Sequence, residues 1–144
     1  MADNLSLFLK KNKRFRQNAF YPATKSFTDE NGEPVKWEIR PITTEESDRI
    51  RALCTHEVSV PGRKGATREK VDLNEYMDKL TVAAVVFPDL YSAELQDSYG
   101  VKTPEELLKQ LVDSPSEYVD LQQFVQNLSG FDTDMTAEIE EAKN

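Results

Sequence analysis

Between Thr103 and Phe131 the chain reads TPEELLKQLVDSPSEYVDLQQFVQNLSGF, a stretch whose punctuation spells out two short helices with almost no loop between them. Thr103 suits an N-cap, Pro104 suits the first helical position, where a missing N–H costs nothing, and Glu106 is spaced to return a capping-box bond. Ser114, Pro115 and Glu117 repeat that grammar, so the first helix must end near Val112 or Asp113. Gly130 is placed for the left-handed residue after the second helix, with Phe131 folding back onto the last turn. Each cap contributes about 1 kcal/mol, enough to place a boundary but not to hold a fold. Burial has to do that. Leu107, Leu108 and Leu111 line one face of the first helix, and Tyr118, Leu121, Val125 and Leu128 recur at helical spacing on the second, widened by Phe124. Phe124, Leu128 and Phe131 carry two readings. They finish the domain core, which their spacing favours, or they leave apolar surface for a protein partner or a second copy.

The remaining elements are read around this anchor. A short helix from Asp3 or Asn4 places Leu5, Phe8 and Leu9 on one side and ends among Lys10, Lys11, Lys13, Arg14 and Arg16, where cations suit the helix dipole. From Lys25 to Ile42, Val35, Trp37 and Ile39 alternate with Lys36, Glu38 and Arg40, the period of a half-buried strand. With Asn31-Gly32 as the turn and Phe27 in the preceding run, this predicts a β-hairpin ended by Pro41. A bare hairpin is marginal in water, so its Trp37 face needs helices or a further strand, which residues 18–24 can supply. Thr43 or Thr44 caps a helix through Ile50 and Leu53 to Cys54. Residues 55–70, with Pro61, Gly62 and Gly65 among Arg63, Lys64, Arg68 and Lys70, are read as a mobile basic loop without the spacing of a phosphate-binding loop. Asp72 caps the longest predicted helix, carrying Tyr76, Leu80, Ala84 and Phe87 until Pro88 stops it, with a short strand at TVAAVVF as the alternative. A brief helix from about Ser92 to Tyr99 is closed by Gly100, and a frayed acidic helix with Met135 and Ile139 is expected after Phe131.

The resulting fold class is α+β, predominantly α-helical, with an N-terminal β-hairpin packed on a bundle of about five or six short helices. At 144 residues one core is the expectation, so residues 1–144 are read as a single domain with 1–20 and 132–144 as loosely attached ends. The net charge of −8 is unevenly placed: residues 1–70 hold 14 Lys+Arg against 10 Asp+Glu, and residues 71–144 hold 4 against 16. Basic and acidic halves of this kind suit self-association, while an acidic chain argues against general nucleic-acid binding. No apolar run approaches the roughly 18 residues of a membrane span, and the N-terminus lacks the order of charges in a signal peptide, so a soluble cytoplasmic protein is expected.

Catalytic chemistry finds little support. Cys54 and His56 are the obvious nucleophile and base, but residues i and i+2 of a helix diverge and no third member is assignable, so a semi-buried cysteine and a loop histidine are the better reading. One cysteine and one histidine do not make a zinc set. No catalytic, cofactor-binding or metal-binding residue is assigned, and no cofactor is expected.

Three stretches carry a family likeness: LSLFLKKN near the N-terminus, ENGEPVKWEIRPIT, and PDLYSAELQDSYGVKTPEELLKQLVDSPSEYVDLQQFVQNLSGFD, followed by an acidic EEAKN end. Together they resemble the XkdN-like tail assembly chaperones of contractile-tailed phages and PBSX-type defective prophages, least closely from Cys54 to Lys70. The resemblance implies a non-catalytic morphogenesis factor that coats the long apolar helical tape-measure protein and keeps it soluble. It implies that the factor leaves as tail tube protein polymerises, acting in the host bacterial cytoplasm and missing from the mature virion. A structural tail adaptor retained in the virion is the first alternative, and a cysteine-dependent enzyme the remote one.

Overall fold

The computed structural model describes residues 2–131. Its order is two short 3₁₀ helices (Ala2–Phe8 and Lys10–Asn12), β1 (Ala19–Tyr21), β2 (Trp37–Ile39), α1 (Thr44–Leu53), β3 (Thr55–Ser59), β4 (Thr67–Val71), α2 (Leu73–Ala84), β5 (Val85–Phe87), α3 (Ala93–Tyr99), α4 (Pro104–Leu111) and α5 (Pro115–Ser129). Five α-helices and two small antiparallel sheets make this the expected α+β, mostly helical class. Helix α2 packs on α1, α4 and α5, and α3 packs on α4. The core joins Trp37 and Ile39 of β2 to Leu80 and Ala84 of α2, with Leu107 and Leu108 of α4 and Leu121 and Val125 of α5 closing it.

The helix punctuation is realised with local differences. Thr103 accepts the Glu106 N–H, but the Glu106 carboxylate accepts the N–H of Lys102 instead of that of Thr103, so only half a capping box forms. At α5 the predicted box is absent: Ser114 makes no side-chain cap, and Glu117 accepts from the Thr24 hydroxyl at 2.7 Å and the Lys25 N–H at 2.9 Å. These donors hold the Glu117 carboxyl below its usual range and tie the segment after β1 to the start of α5. The complete box lies at α1, where Thr43 and Glu46 exchange both bonds. Gly130 takes φ 86°, the Phe131 N–H reaches the Gln126 carbonyl at 2.9 Å, and the expected Schellman ending forms.

The β structure departs further. The Asn31-Gly32 turn exists, with the Asp29 carboxylate accepting from the Asn31 and Glu33 N–H groups. Its arms nevertheless meet only at an isolated Thr28–Pro34 bridge, flanked by the Val35 N–H to Phe27 carbonyl bond at 2.9 Å and the Asp29 N–H to Glu33 carbonyl bond at 2.8 Å. The Trp37 strand pairs instead with β1 on one side and β5 on the other, giving the order β1-β2-β5. Residues 18–24 thus supply the extra strand, and α2 ends at Ala84, where Val85 and Val86 leave the helix for the sheet. β-Branched residues bear that change of backbone well. Residues 55–70, read as a loop, fold into a β3–β4 hairpin with Thr55 opposite Val71 and Ser59 opposite Thr67. Neither face alternates apolar with polar, so the period-2 signal was missing. The expected acidic helix after Phe131 lies outside the described residues.

Candidate functional site

Apolar surface gathers in two places that are built differently. Along the outer edge of α5, Phe124 and Leu128 share a face and Phe131 folds back beside them, all half-buried and packed against the core. Phe124 stacks on Tyr21 of β1, centroids 4.2 Å apart and planes 16° apart. Arg16 donates from Nη1 to the Leu128 carbonyl at 3.3 Å, placing a cation at the negative end of the α5 dipole. The three residues singled out from sequence are therefore brought together, and much of their apolar area already serves the core.

The second place is an apolar groove of about 170 Å³. One wall comes from Phe27 and Val35 beside the Asn31-Gly32 turn, the floor from Trp37 of β2, and the other walls from Phe87 with the cis Pro88 and from Leu95 and Tyr99 of α3. It is smaller than the roughly 300 Å³ at which small-molecule pockets begin, so its size fits protruding side chains of a polypeptide better than a cofactor. Sequence reasoning missed this groove because its walls come from segments distant in the chain. The available signal was the unspent apolar pair flanking the turn together with Phe87 just before a proline.

Cys54 and His56 are not arranged as a catalytic pair. Cys54 caps the C-terminus of α1 with no exposure, and burial pushes its thiol up, holding it protonated. His56 sits on exposed β3 and places Nε2 2.8 Å from Glu75 Oε2 on α2. A protonated, sealed thiol beside a histidine engaged elsewhere offers no activated nucleophile.

Between α2 and α4 lies an acidic depression formed by Asp72, Glu75, Asp78, Glu105 and Glu106. Lys79 pairs with Glu105 at 3.3 Å, Lys109 with Asp78 at 2.8 Å, and the Tyr118 hydroxyl donates to Asp78 at 2.6 Å. Burial, then that bond to Asp78, drives the Tyr118 phenol well above its usual range, so it remains a donor linking α5 to α2. Among the described residues no group of three His, Cys, Asp or Glu side chains is placed to hold a metal ion, and no helix is long and apolar enough to cross a membrane.

Comparison with known proteins gives this surface its context. In Bacillus subtilis (strain 168), the phage-like element PBSX protein XkdN is 28% identical to this chain over 123 residues, covering 85% of this chain and 82% of XkdN. The uncharacterized protein YqbN of the same strain is 30% identical over 123 residues, covering 85% of this chain and 81% of YqbN. The crystal structure of YqbN superposes with a TM-score of 0.74 at 22% identity, covering 88% of this chain and 96% of that one, a shared fold. The family model described as phage XkdN-like tail assembly chaperone protein matches residues 5–143. With nearly its whole length matched and the fold shared, the chain belongs to the XkdN-like family of phage tail assembly chaperones.

Proposed function

We propose that this protein is a non-catalytic chaperone that binds the tape-measure protein during tail morphogenesis and keeps that long helical client soluble until the tube encloses it. Membership of the tail assembly chaperone family carries the reading. The surface supports it: a chain of net charge −8 stays dispersed while presenting apolar side chains to a helix laid across it. The client contact we propose is the exposed remainder of Phe124, Leu128 and Phe131, beside the end of α5. In this reading the chaperone works in the host cytoplasm, leaves as tail tube protein polymerises, and is missing from the finished virion.

A pull-down from cells making the complete tail cluster tests the partner: recovery of the tape-measure protein supports the reading, and its absence overturns it. Mass spectrometry of purified tails tests departure, because finding this chain there makes it an adaptor instead. Co-expression then tests the site. Phe124→Asp, in a variant shown by circular dichroism to stay folded, should return the client to the insoluble fraction. Unchanged client solubility would remove α5 from the proposal.

A further inference from the structure

The N-terminal arm and the apolar groove are complementary, yet in one molecule neither covers the other. Leu5, Leu7 and Phe8 of the first 3₁₀ helix are 74%, 66% and 83% exposed, and Leu9 is 47% exposed. Residues three apart in a 3₁₀ helix eclipse, so Leu5 and Phe8 stand on one edge as adjacent anchors. Asn12 closes the arm by donating from Nδ2 to the Ser6 carbonyl at 2.6 Å, which holds the turn in shape. Immediately after the anchors come Lys10, Lys11, Lys13, Arg14 and Arg16, with no acidic residue among residues 4–16. The segments that wall the groove have the opposite character: 27–37 and 87–99 contain Asp29, Glu30, Glu33, Asp89, Glu94 and Asp97 against Lys36 alone. Its volume of about 170 Å³ suits one or two inserted side chains.

We propose that the Leu5/Phe8 edge of the arm docks into the Phe27–Trp37–Phe87–Leu95 groove of a second copy of this chain, with Lys10, Lys11, Lys13 and Arg14 facing the acidic segments that wall it. Two features favour a second copy as the occupant. Arg16 pins the base of the arm to the C-terminal end of α5, and the arm's anchors remain exposed there. Arm and groove are also built from different residues, so each copy offers one arm and one groove, and the contact either closes as a reciprocal, isologous pair or continues head to tail as a heterologous one. The short apolar anchor gives the contact its register, and the charges give it salt dependence.

Sedimentation equilibrium of the full chain over a wide concentration range is the test. The expected mass rises with concentration, and Leu5→Asp/Phe8→Asp stays monomeric with an unchanged unfolding midpoint, since both positions are exposed. Lys10→Glu/Lys11→Glu/Lys13→Glu should weaken association by roughly tenfold, and added salt should weaken the unmodified chain in the same direction. On the groove side, Phe87→Asp should also be monomeric; if it misfolds, Asp89→Lys/Glu94→Lys in the walling segment replaces it, with weakened association expected. The sharpest result is complementation: the arm variant, whose groove is intact, should form a one-to-one complex with the groove variant, whose arm is intact. A chain that stays monomeric throughout overturns the proposal, as does association that survives Leu5→Asp/Phe8→Asp. A nitroxide at Leu7→Cys, which leaves both anchors in place, that broadens groove amides equally at every concentration would place the arm in its own groove and also overturn it.

Discussion

The two sheets of this molecule invert the usual relation between regular pairing and structural weight. Strands β1, β2 and β5 are three residues each, and the β2–β5 register shifts between Glu38 and Ile39. Strands β3 and β4 are five residues each in unbroken register. Yet Trp37 and Ile39 of the short sheet are 2% and 0% exposed, whereas the longer ribbon contains no fully buried side chain. Hydrogen-bonded pairing contributes modestly in water, while apolar burial contributes about 25 cal/mol per Å². The short sheet therefore belongs to the cooperative core, whereas the ribbon joins it at one end only, through half-buried Val71 against the core and His56 beside Glu75.

The largest expected effect comes from cutting into the short sheet. Trp37→Ala should lower global stability by about 3–5 kcal/mol, since it empties a buried aromatic site between β2 and the helices. Val58→Ala in β3, at a half-exposed position, should cost well under 1 kcal/mol. Chemical denaturation with both variants checks the contrast, and equal losses would show that the ribbon unfolds together with the core. Glycines offer a second, smaller comparison. Gly130 and Gly62 have φ of 86° and 78°, a region that costs an L side chain about 1–2 kcal/mol. Gly130→Ala ends α5 badly and places a Cβ against the Arg16 guanidinium, so the whole cost should appear in the global midpoint. Gly62→Ala has open space around it, and its cost should appear as faster amide exchange in residues 55–71 with little change in the midpoint.

The same contrast explains what could be read from the sequence. Helices α3, α4 and α5 announced themselves through Ser92, Gly100, Thr103 and Gly130, because caps are local chemistry and their residues act within one turn. The partners of β2 were not legible to the same degree. Whether Trp37 pairs with the Phe27 run or with β1 and β5 depends on how residues 19–21 and Val85 and Val86 settle against it, which is a matter of tertiary packing. Glu117 shows the limit most directly. Its spacing from Ser114 fits a capping box, but Thr24 and Lys25 come close enough in the folded chain to take its oxygens first. At the candidate site, the helical spacing of Phe124 and Leu128 was visible, while the stacking of Phe124 on Tyr21 and the whole groove arise from contacts between distant segments.

Acid titration sharpens the comparison at the core side. Glu46 is joined to Arg40, which directly follows β2, and Arg40 hydrogen bonding with the Thr43 cap holds its carboxyl at about 2, from an ordinary 4.5. A carboxylate with a depressed folded pKa binds fewer protons in the folded state than in the unfolded one. Its contribution is therefore fully present above about 4.5 and is lost as pH falls toward about 2. Glu46→Gln should cost about 1 kcal/mol at neutral pH, because glutamine keeps the capping geometry but not the charge. It should also flatten the dependence of the unfolding midpoint on pH within that window. A variant whose acid dependence matches the parent would assign the slope to other carboxylates.

The smallest predicted effect is favourable and confined to the ribbon. Glu57 and Glu69 face each other directly across β3 and β4, a like-charge pairing that weakens an antiparallel ribbon. Glu69→Lys turns that repulsion into attraction at an exposed position, and the gain should be a few tenths of a kcal/mol. If the ribbon opens separately from the core, amide exchange within residues 55–59 and 67–71 will slow while the global denaturation midpoint stays in place. A midpoint that rises by the full gain would mean that the ribbon opens only when the core does. The lack of buried side chains in β3 and β4 argues for separate opening: an element that removes little apolar surface from water has little with which to couple its own opening to the rest.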